Sequence, residues 1–242
     1  MKSTLEKKGI AIHLNTVVQT IEQDAERATV ICRNAISGDT LRLDARRCFG
    51  SGRKPNTESL NLQAAGIRTT NRGAIEVDSK LRTNIPNIWA IGDVHGGLQF
   101  TYLSLDDYRI IREELFGNGF RSLDDREAVA YSVFIDPPLA HVGLNETQAR
   151  KMEKNIKVAS LPAAAMPRTR TIEQTDGLLK AVVDADTGKI LGCTLFCAES
   201  SEVINTVSLA MRLGQDYTFL RDSIFTHPSM SEALNDLFGL IK

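Results

Sequence analysis

His227 and Glu232, five residues apart near the end of the chain, are the pair whose types and spacing best suit proton transfer. They belong to Thr226-His227-Pro228-Ser229-Met230-Ser231-Glu232, where Pro228 stiffens the turn after the imidazole and a short helix is expected over residues 232–240. A carboxylate placed there accepts a hydrogen bond from one ring nitrogen. That fixes the tautomer and leaves the other nitrogen to move a proton. Spacing alone leaves the plainer reading open, a histidine that caps or packs. A general base also needs a target, and nothing else in the chain looks like one. The pair reads as half of an active site.

Gly92-Asp93 is the second place where chemistry can be argued. Residues 87–91 form an apolar run without alternation, the pattern of a parallel strand buried on both faces. Ligands of open α/β sheets sit beyond the carboxyl ends of such strands. Gly92 lets backbone approach a ligand, and Asp93 offers an acceptor pair suited to sugar or polyol hydroxyls. A helix expected over 104–116 would aim its N-terminal amides at an electron-rich group. The alternative is a strand-ending turn in which Asp93 caps a helix.

Other candidates weigh less. Gly50-x-Gly52-x-x-Pro55 is no dinucleotide fingerprint, because its third position is proline and no long helix follows. Cys193 and Cys197 share a strand face with Leu191 and Leu195, which suits core packing. Four residues of extended strand separate their Cα atoms by roughly 13 Å, beyond disulfide reach. Cys32 and Cys48 lack metal-ligand spacing. His13, on an expected strand, and His141, after Pro137-Pro138, read as structural. His95 follows Asp93 in a Gly-rich loop, where a place near a ligand and a surface role are equally open.

The elements that must position these groups fall into three stretches. A helix end stopped by Gly9 leads into four short strands at 10–14, 17–22, 29–33 and 40–43, a small antiparallel meander. Residues 49–120 change texture, with loops at 50–56 and 83–86, a possible short strand at 74–77, the run at 87–91 and the helix at 104–116. From 129 onward the pattern is α+β. Strands at 178–183 and 189–197 flank Asp184-Ala185-Asp186-Thr187-Gly188, a hairpin signal. Val203, Val207 and Met211 recur at helical spacing across 202–213, with Gly214 as a stop. The polar segment 117–127 is the best linker.

Composition sets loose bounds. The 242 residues are 24% charged and 42% hydrophobic with net charge −1, an ordinary globular balance that points to neither nucleic acid nor a membrane surface as partner. No apolar run has membrane-spanning length, the first residues lack a signal-peptide core, and four cysteines make no disulfide scaffold, so the cytoplasm is the expected compartment.

Four motifs occur in one order: Ser51-Gly52-Arg53-Lys54-Pro55-Asn56, Ile88-Trp89-Ala90-Ile91-Gly92-Asp93-Val94, Val142-Gly143-Leu144, and Thr226-His227-Pro228 with Glu232. That order resembles the second half of the FAD-dependent pyridine nucleotide-disulfide oxidoreductases, the class of glutathione reductase, dihydrolipoamide dehydrogenase and mercuric reductase. Gly97-Leu98-Gln99-Phe100-Thr101-Tyr102 and Asp106-Asp107-Tyr108-Arg109, with the ending from His227 to Phe238, look closest to its reactive-chlorine-resistance branch.

The resemblance implies an α/β and α+β fold: remnants of the nucleotide-binding domains, then an α+β interface domain with an antiparallel sheet and helices. Residues 1–48 would be the tail of the NAD(P)-binding domain, 49–122 the end of the FAD domain, and 128–242 a dimerisation domain forming a homodimer. Gly52, Gly92, Asp93, Phe100 and Thr101 would lie at FAD, with Asp93 on its ribityl chain and Phe100-Thr101 against the flavin. His227 and Glu232 would be catalytic, managing the proton on a redox-active cysteine of the partner subunit. NAD(P)H would be the hydride donor, and no metal is implied.

The departures shape the expectation for this chain. It holds no GxGxxG and no Cys-x-x-x-x-Cys pair. The expected reading is therefore a C-terminal part of the enzyme, inactive alone and retaining no FAD by itself. The alternative is a stand-alone dimerisation module without cofactor. The strand expected before Ser51-Gly52 reads Arg46-Arg47-Cys48-Phe49, and burying Arg47 unpaired there would cost several kcal/mol.

Overall fold

The computed structural model describes residues 1–24, 26–50 and 52–242; Ser51, part of one quoted motif, lies outside them. The chain forms two compact units: residues 13–126, and residues 1–12 with 127–242.

The first unit opens with β1 (Thr16–Gln23), β2 (Ala28–Asn34) and β3 (Thr40–Ala45), an antiparallel sheet in that order. The 34–39 turn forms because the Asn34 side-chain oxygen accepts the Ile36 and Ser37 amides, at 2.9 and 3.0 Å. The meander is thus as expected, except that residues 10–14 are not a strand. Ile10 and Leu14 are exposed, and the segment pairs with no strand among the described residues. Its backbone bonds locally, as from the Ile10 amide to the Leu5 carbonyl at 3.2 Å, and β propensity without a partner strand makes no sheet.

The expected strands at 74–77 and 87–91 are also replaced. Each contributes a single antiparallel bridge, Thr69 with Ile75 and Arg82 with Trp89. Ile91 is exposed, so the run is not a parallel strand buried on both faces. Arg46 and Arg47 lie exposed in irregular backbone beyond β3, so no arginine is desolvated there. α1 (Thr101–Phe116) follows, burying Leu103, Asp106, Asp107 and Ile110.

The second unit holds the larger sheet. Its strands are β4 (Tyr131–Val133), β5 (Leu139–Gly143), β6 (Ile156–Pro162), β7 (Leu178–Asp184) and β8 (Ile190–Phe196), ordered β4-β5-β8-β7-β6 and antiparallel throughout. The β7–β8 hairpin follows its turn chemistry. Asp184 Oδ1 accepts the amides of Asp186 and Thr187, at 3.1 and 2.9 Å, and Gly188 takes φ +71°. Short helices α2 (Glu146–Lys151), α3 (Pro167–Thr171) and α5 (Tyr217–Asp222) join α4 (Ser200–Arg212) and α6 (Ala233–Gly239). A further helix, Lys2–Lys7, opens the chain in the same unit and ends at Gly9 (φ +82°) as expected.

One contiguous core runs through this unit. Val203, Ile204, Val207 and Ala210 of α4 recur at three- and four-residue intervals, and α4 packs on β5 and β8. Leu234, Leu237 and Phe238 of α6 are fully buried, and α6 packs on β6 and β7. Each such side chain contributes about 2–3 kcal/mol of burial. Cys193 of β8 and Cys197, just beyond its end, lie in that core as expected. Burial raises the pKa of both thiols, that of Cys197 to about 12, so neither is a thiolate at neutral pH.

Candidate functional site

The turn before α6 brings His227 and Glu232 together. His227 Nδ1–H donates to Glu232 Oε2 at 2.7 Å, since a carboxylate can only accept. The other carboxylate oxygen, Oε1, accepts the Ser229 amide at 3.1 Å, and the Glu232 amide donates to Ser229 Oγ at 3.3 Å. Glu232 is therefore held from two sides. Its side chain is 16% exposed, whereas that of His227 is 69% exposed. The pair presents an imidazole of fixed tautomer on the surface, with Nε2 away from the carboxylate. Packing does not account for a histidine so exposed, and its ring does not cap a helix.

Burial raises the Glu232 pKa, but the hydrogen bonds from His227 and the Ser229 amide outweigh it and hold the carboxyl below its ordinary 4.5. A folded-state pKa depressed in this way means that the turn is fully stabilised above pH 4.5 and loses that contribution as pH falls through the lower value. An NMR titration of the Glu232 carboxyl carbon should show a midpoint below 4.5, returning upward in His227→Ala. A midpoint unchanged by the substitution would show that the imidazole does not hold the carboxylate.

The Gly92-Asp93 turn lies in the first unit. Gly92 takes φ +73°, the left-handed region that favours glycine, and a Cβ there would come within 3.3 Å of Ser104 Oγ. Residues Gly92–His95 form a 3₁₀ turn whose N-cap is Ile91 without a side-chain cap. Asp93 is thus not a helix cap. Its carboxylate, 49% exposed, lies 3.6 Å from Arg53 Nη1, which also donates to the Gln99 carbonyl at 2.7 Å. Phe100 is the N-cap residue of α1, Thr101 opens that helix with no side-chain cap, and the Phe100 and Tyr102 rings stack at 5.2 Å. Gly52 sits in an open loop at φ +153°.

Beneath this turn is a charged group that the sequence reading does not find. Asp107, its side chain 1% exposed, accepts the Gly92 amide at 2.6 Å and His95 Nε2 at 3.0 Å on Oδ2, and Arg126 on Oδ1. Asp106 accepts Arg126 Nε at 2.8 Å and is paired with Arg121. Burial pushes both carboxyls up, and their donors pull them below the ordinary value: Arg121 and Arg126 for Asp106; His95, Arg126 and the Gly92 amide for Asp107. The signal was present: two adjacent acids on a helix face shared with Leu103 and Ile110 require cations once buried. Nothing local says that Arg121 and Arg126 supply them.

The remaining histidines separate cleanly. His95 belongs to the Asp107 group rather than to the open surface. His13 lies exposed in irregular backbone, not on a strand. His141 is structural as expected: Nε2–H donates to the Gly143 carbonyl at 2.8 Å, and the Thr194 hydroxyl pairs with Nδ1 at 2.8 Å. Among the described residues no cluster of three metal-ligating side chains forms, and no helix is long and apolar enough to cross a membrane.

Comparison with known proteins places both segments of the chain in one family. Residues 1–107 match the model described as pyridine nucleotide-disulphide oxidoreductase, and residues 129–238 match the dimerisation domain of the same name. The chain is 52% identical over 238 residues to the probable pyridine nucleotide-disulfide oxidoreductase RclA of Escherichia coli, covering 98% of this chain and 53% of that protein. It is 34% identical over 233 residues to a dihydrolipoyl dehydrogenase of Geobacillus stearothermophilus, covering 96% and 49%. The solved HOCl-induced flavoprotein disulfide reductase RclA of E. coli matches with a TM-score of 0.89 at 50% identity, over 99% of this chain and 54% of that one. The chain spans about half the length of the curated relatives it matches. Its two matched segments and its 52% identity to RclA across nearly its whole length make it a member of the pyridine nucleotide-disulfide oxidoreductase family.

Proposed function

We propose that this chain supplies the acid–base dyad, part of the FAD pocket and the subunit interface of a flavin-dependent NAD(P)H oxidoreductase that reduces a disulfide. The observation that carries this reading is the His227–Glu232 hydrogen bond of 2.7 Å on an exposed imidazole. Reducing a disulfide takes two electrons and two protons, and re-oxidation must remove those protons again. His227 Nε2 takes a proton from a thiol Sγ of the partner subunit and returns it on the reverse step. The Glu232 carboxylate stabilises the imidazolium formed in between.

Relatives of this family use FAD and NAD(P)H; when bound, the flavin accepts a hydride from the nicotinamide and delivers electrons to the disulfide. The residues here fit one end of that cofactor. Asp93, half exposed, would accept hydrogen bonds from ribityl hydroxyls, and Gly92 would keep a side chain from blocking them. The start of α1 at Thr101, with no side-chain cap, would offer its positive end to an electron-rich ring edge. Gly52 leaves its own position open, with nothing within 4 Å of where a Cβ would lie. The pyrophosphate end has no Gly-rich helix start in this sequence. We assign residues 1–48 and 49–122 to the ends of the NAD(P)- and FAD-binding domains, and 128–242 to the dimerisation domain.

The second unit leaves Ile224 fully exposed, with Phe134, Leu209 and Leu213 also open to solvent. Singly such residues mean little, but Ile224 lies three positions before His227, and a second copy covers it and brings the dyad to a neighbouring site. The isolated chain should sediment as a dimer and purify colourless, and Ile224→Glu should shift it to monomer with unchanged circular dichroism. A monomeric wild type at micromolar concentration removes the interface from this reading. A stoichiometric flavin spectrum would instead mean that the chain builds a complete pocket alone.

A further inference from the structure

We infer that Asp107 is a positioning residue for the flavin site, acting through Asp93, an inference that rests on the FAD reading above. The Asp107 carboxylate is almost wholly inside the protein, yet it spends one oxygen on the Gly92 amide, at 2.6 Å, and on His95 Nε2, at 3.0 Å. Those two donors bracket Asp93. The turn from Gly92 to His95 therefore hangs from a single acceptor at both ends, which fixes the direction in which the intervening Asp93 carboxylate points. The other oxygen accepts Arg126, whose Nε in turn binds Asp106 at 2.8 Å. Arg109 approaches Asp106 to 3.8 Å, and Arg121 also pairs with it.

An alternative role, simple helix anchoring, needs only the Asp106 pairs. Arg126 and Arg121 already tie α1 to the segment after it, and neither bond touches the turn. The Gly92 and His95 bonds do nothing for the helix and everything for the turn. A preorganised acceptor is worth more to a polyol than a mobile one, because its ordering cost is met before binding.

Asp107→Asn tests this without emptying the site: the shape is kept, Arg126 remains paired with Asp106, and the one remaining acceptor oxygen is drawn to the Arg126 guanidinium, which can only donate, leaving an NH2 group toward the Gly92 amide. In the 242-residue chain, hydrogen exchange should show the Gly92 amide protected in the wild type and at least tenfold faster in the variant. In the flavin-loaded full-length protein, Asp107→Asn should weaken FAD binding at least tenfold. Combined with Asp93→Ala it should weaken binding no further than Asp93→Ala alone, because one residue acts through the other. His95→Ala, which leaves the Arg126 pair untouched, should move both readouts in the same direction by a smaller factor and serves if Asp107→Asn does not fold. Unchanged Gly92 exchange, or losses that add in the double variant, overturns the inference. If Asp93→Ala leaves FAD affinity unchanged while Gly92 exchange still responds to Asp107→Asn, the cofactor reading of Asp93 fails instead.

Discussion

On the proposed role, His227→Ala lowers turnover of the flavin-loaded enzyme that contains this chain by roughly 10²–10⁴-fold while leaving its flavin content unchanged. The size follows from the role. A positioned general base contributes that factor when it takes a proton in the transition state, and water replaces it poorly. The selectivity follows from place: His227 belongs to the second unit, and the proposed flavin contacts belong to the first. Stopped-flow absorbance should therefore show normal flavin reduction by NAD(P)H and a slowed passage of electrons to the acceptor. Glu232→Gln should give a smaller loss, because the imidazole remains while its carboxylate partner is neutralised; the Ser229 amide at 3.1 Å still finds an acceptor oxygen. Normal turnover of His227→Ala would remove the proton-transfer role and leave the turn a surface feature.

Gly143→Ala destabilises the second unit by on the order of 2–5 kcal/mol, combining left-handed backbone strain with overpacking. Gly143 ends β5 at φ +74°, opposite Gly192 of β8. A Cβ there would meet Met211 Cε at 2.8 Å and Gly192 Cα at 2.9 Å, with the Leu191 carbonyl closer still. Met211 Cε ends a flexible side chain and can move aside, but the Leu191 carbonyl and Gly192 Cα are backbone of the central strand β8 and cannot retreat cheaply. The natural control is Gly9→Ala, where φ is +82° but nothing lies within 4 Å, so only the backbone cost of about 1 kcal/mol applies. Urea unfolding should move the midpoint far more for Gly143→Ala at an unchanged slope. Equal shifts for the two variants would mean that β5 and β8 separate at no cost, contrary to the packing.

Where sequence reading succeeded, local chemistry and local periodicity were enough. The β7–β8 turn is specified by Asp184, Thr187 and Gly188 within one short segment, and α4 by an apolar stripe ending at Gly214. The last helix, expected over 232–240, runs Ala233–Gly239, and the His227–Glu232 bond forms at the spacing that suggested it. Failure came where pairing partners decide. Residues 10–14 and 87–91 have strand-like composition, but a strand exists only beside another, and these find at most a single bridge. β5 escaped notice for the opposite reason. Its five residues follow two prolines and show no alternation, yet β4 and β8 flank it on both sides.

The sequence by itself determined the family's motif order, the hairpin and helix signals, the burial of Cys193 and Cys197, and the possibility of an imidazole–carboxylate pair. All of these depend on residues close together in the chain or on simple periodicity. Only the tertiary structure decided that the imidazole is exposed while its carboxylate is held, and that Asp107 gathers Gly92, His95 and Arg126 around one buried charge. A buried charge must find donors wherever the fold places them. The 15 and 19 residues separating Asp107 from Gly92 and Arg126 carry no local rule that would have named them.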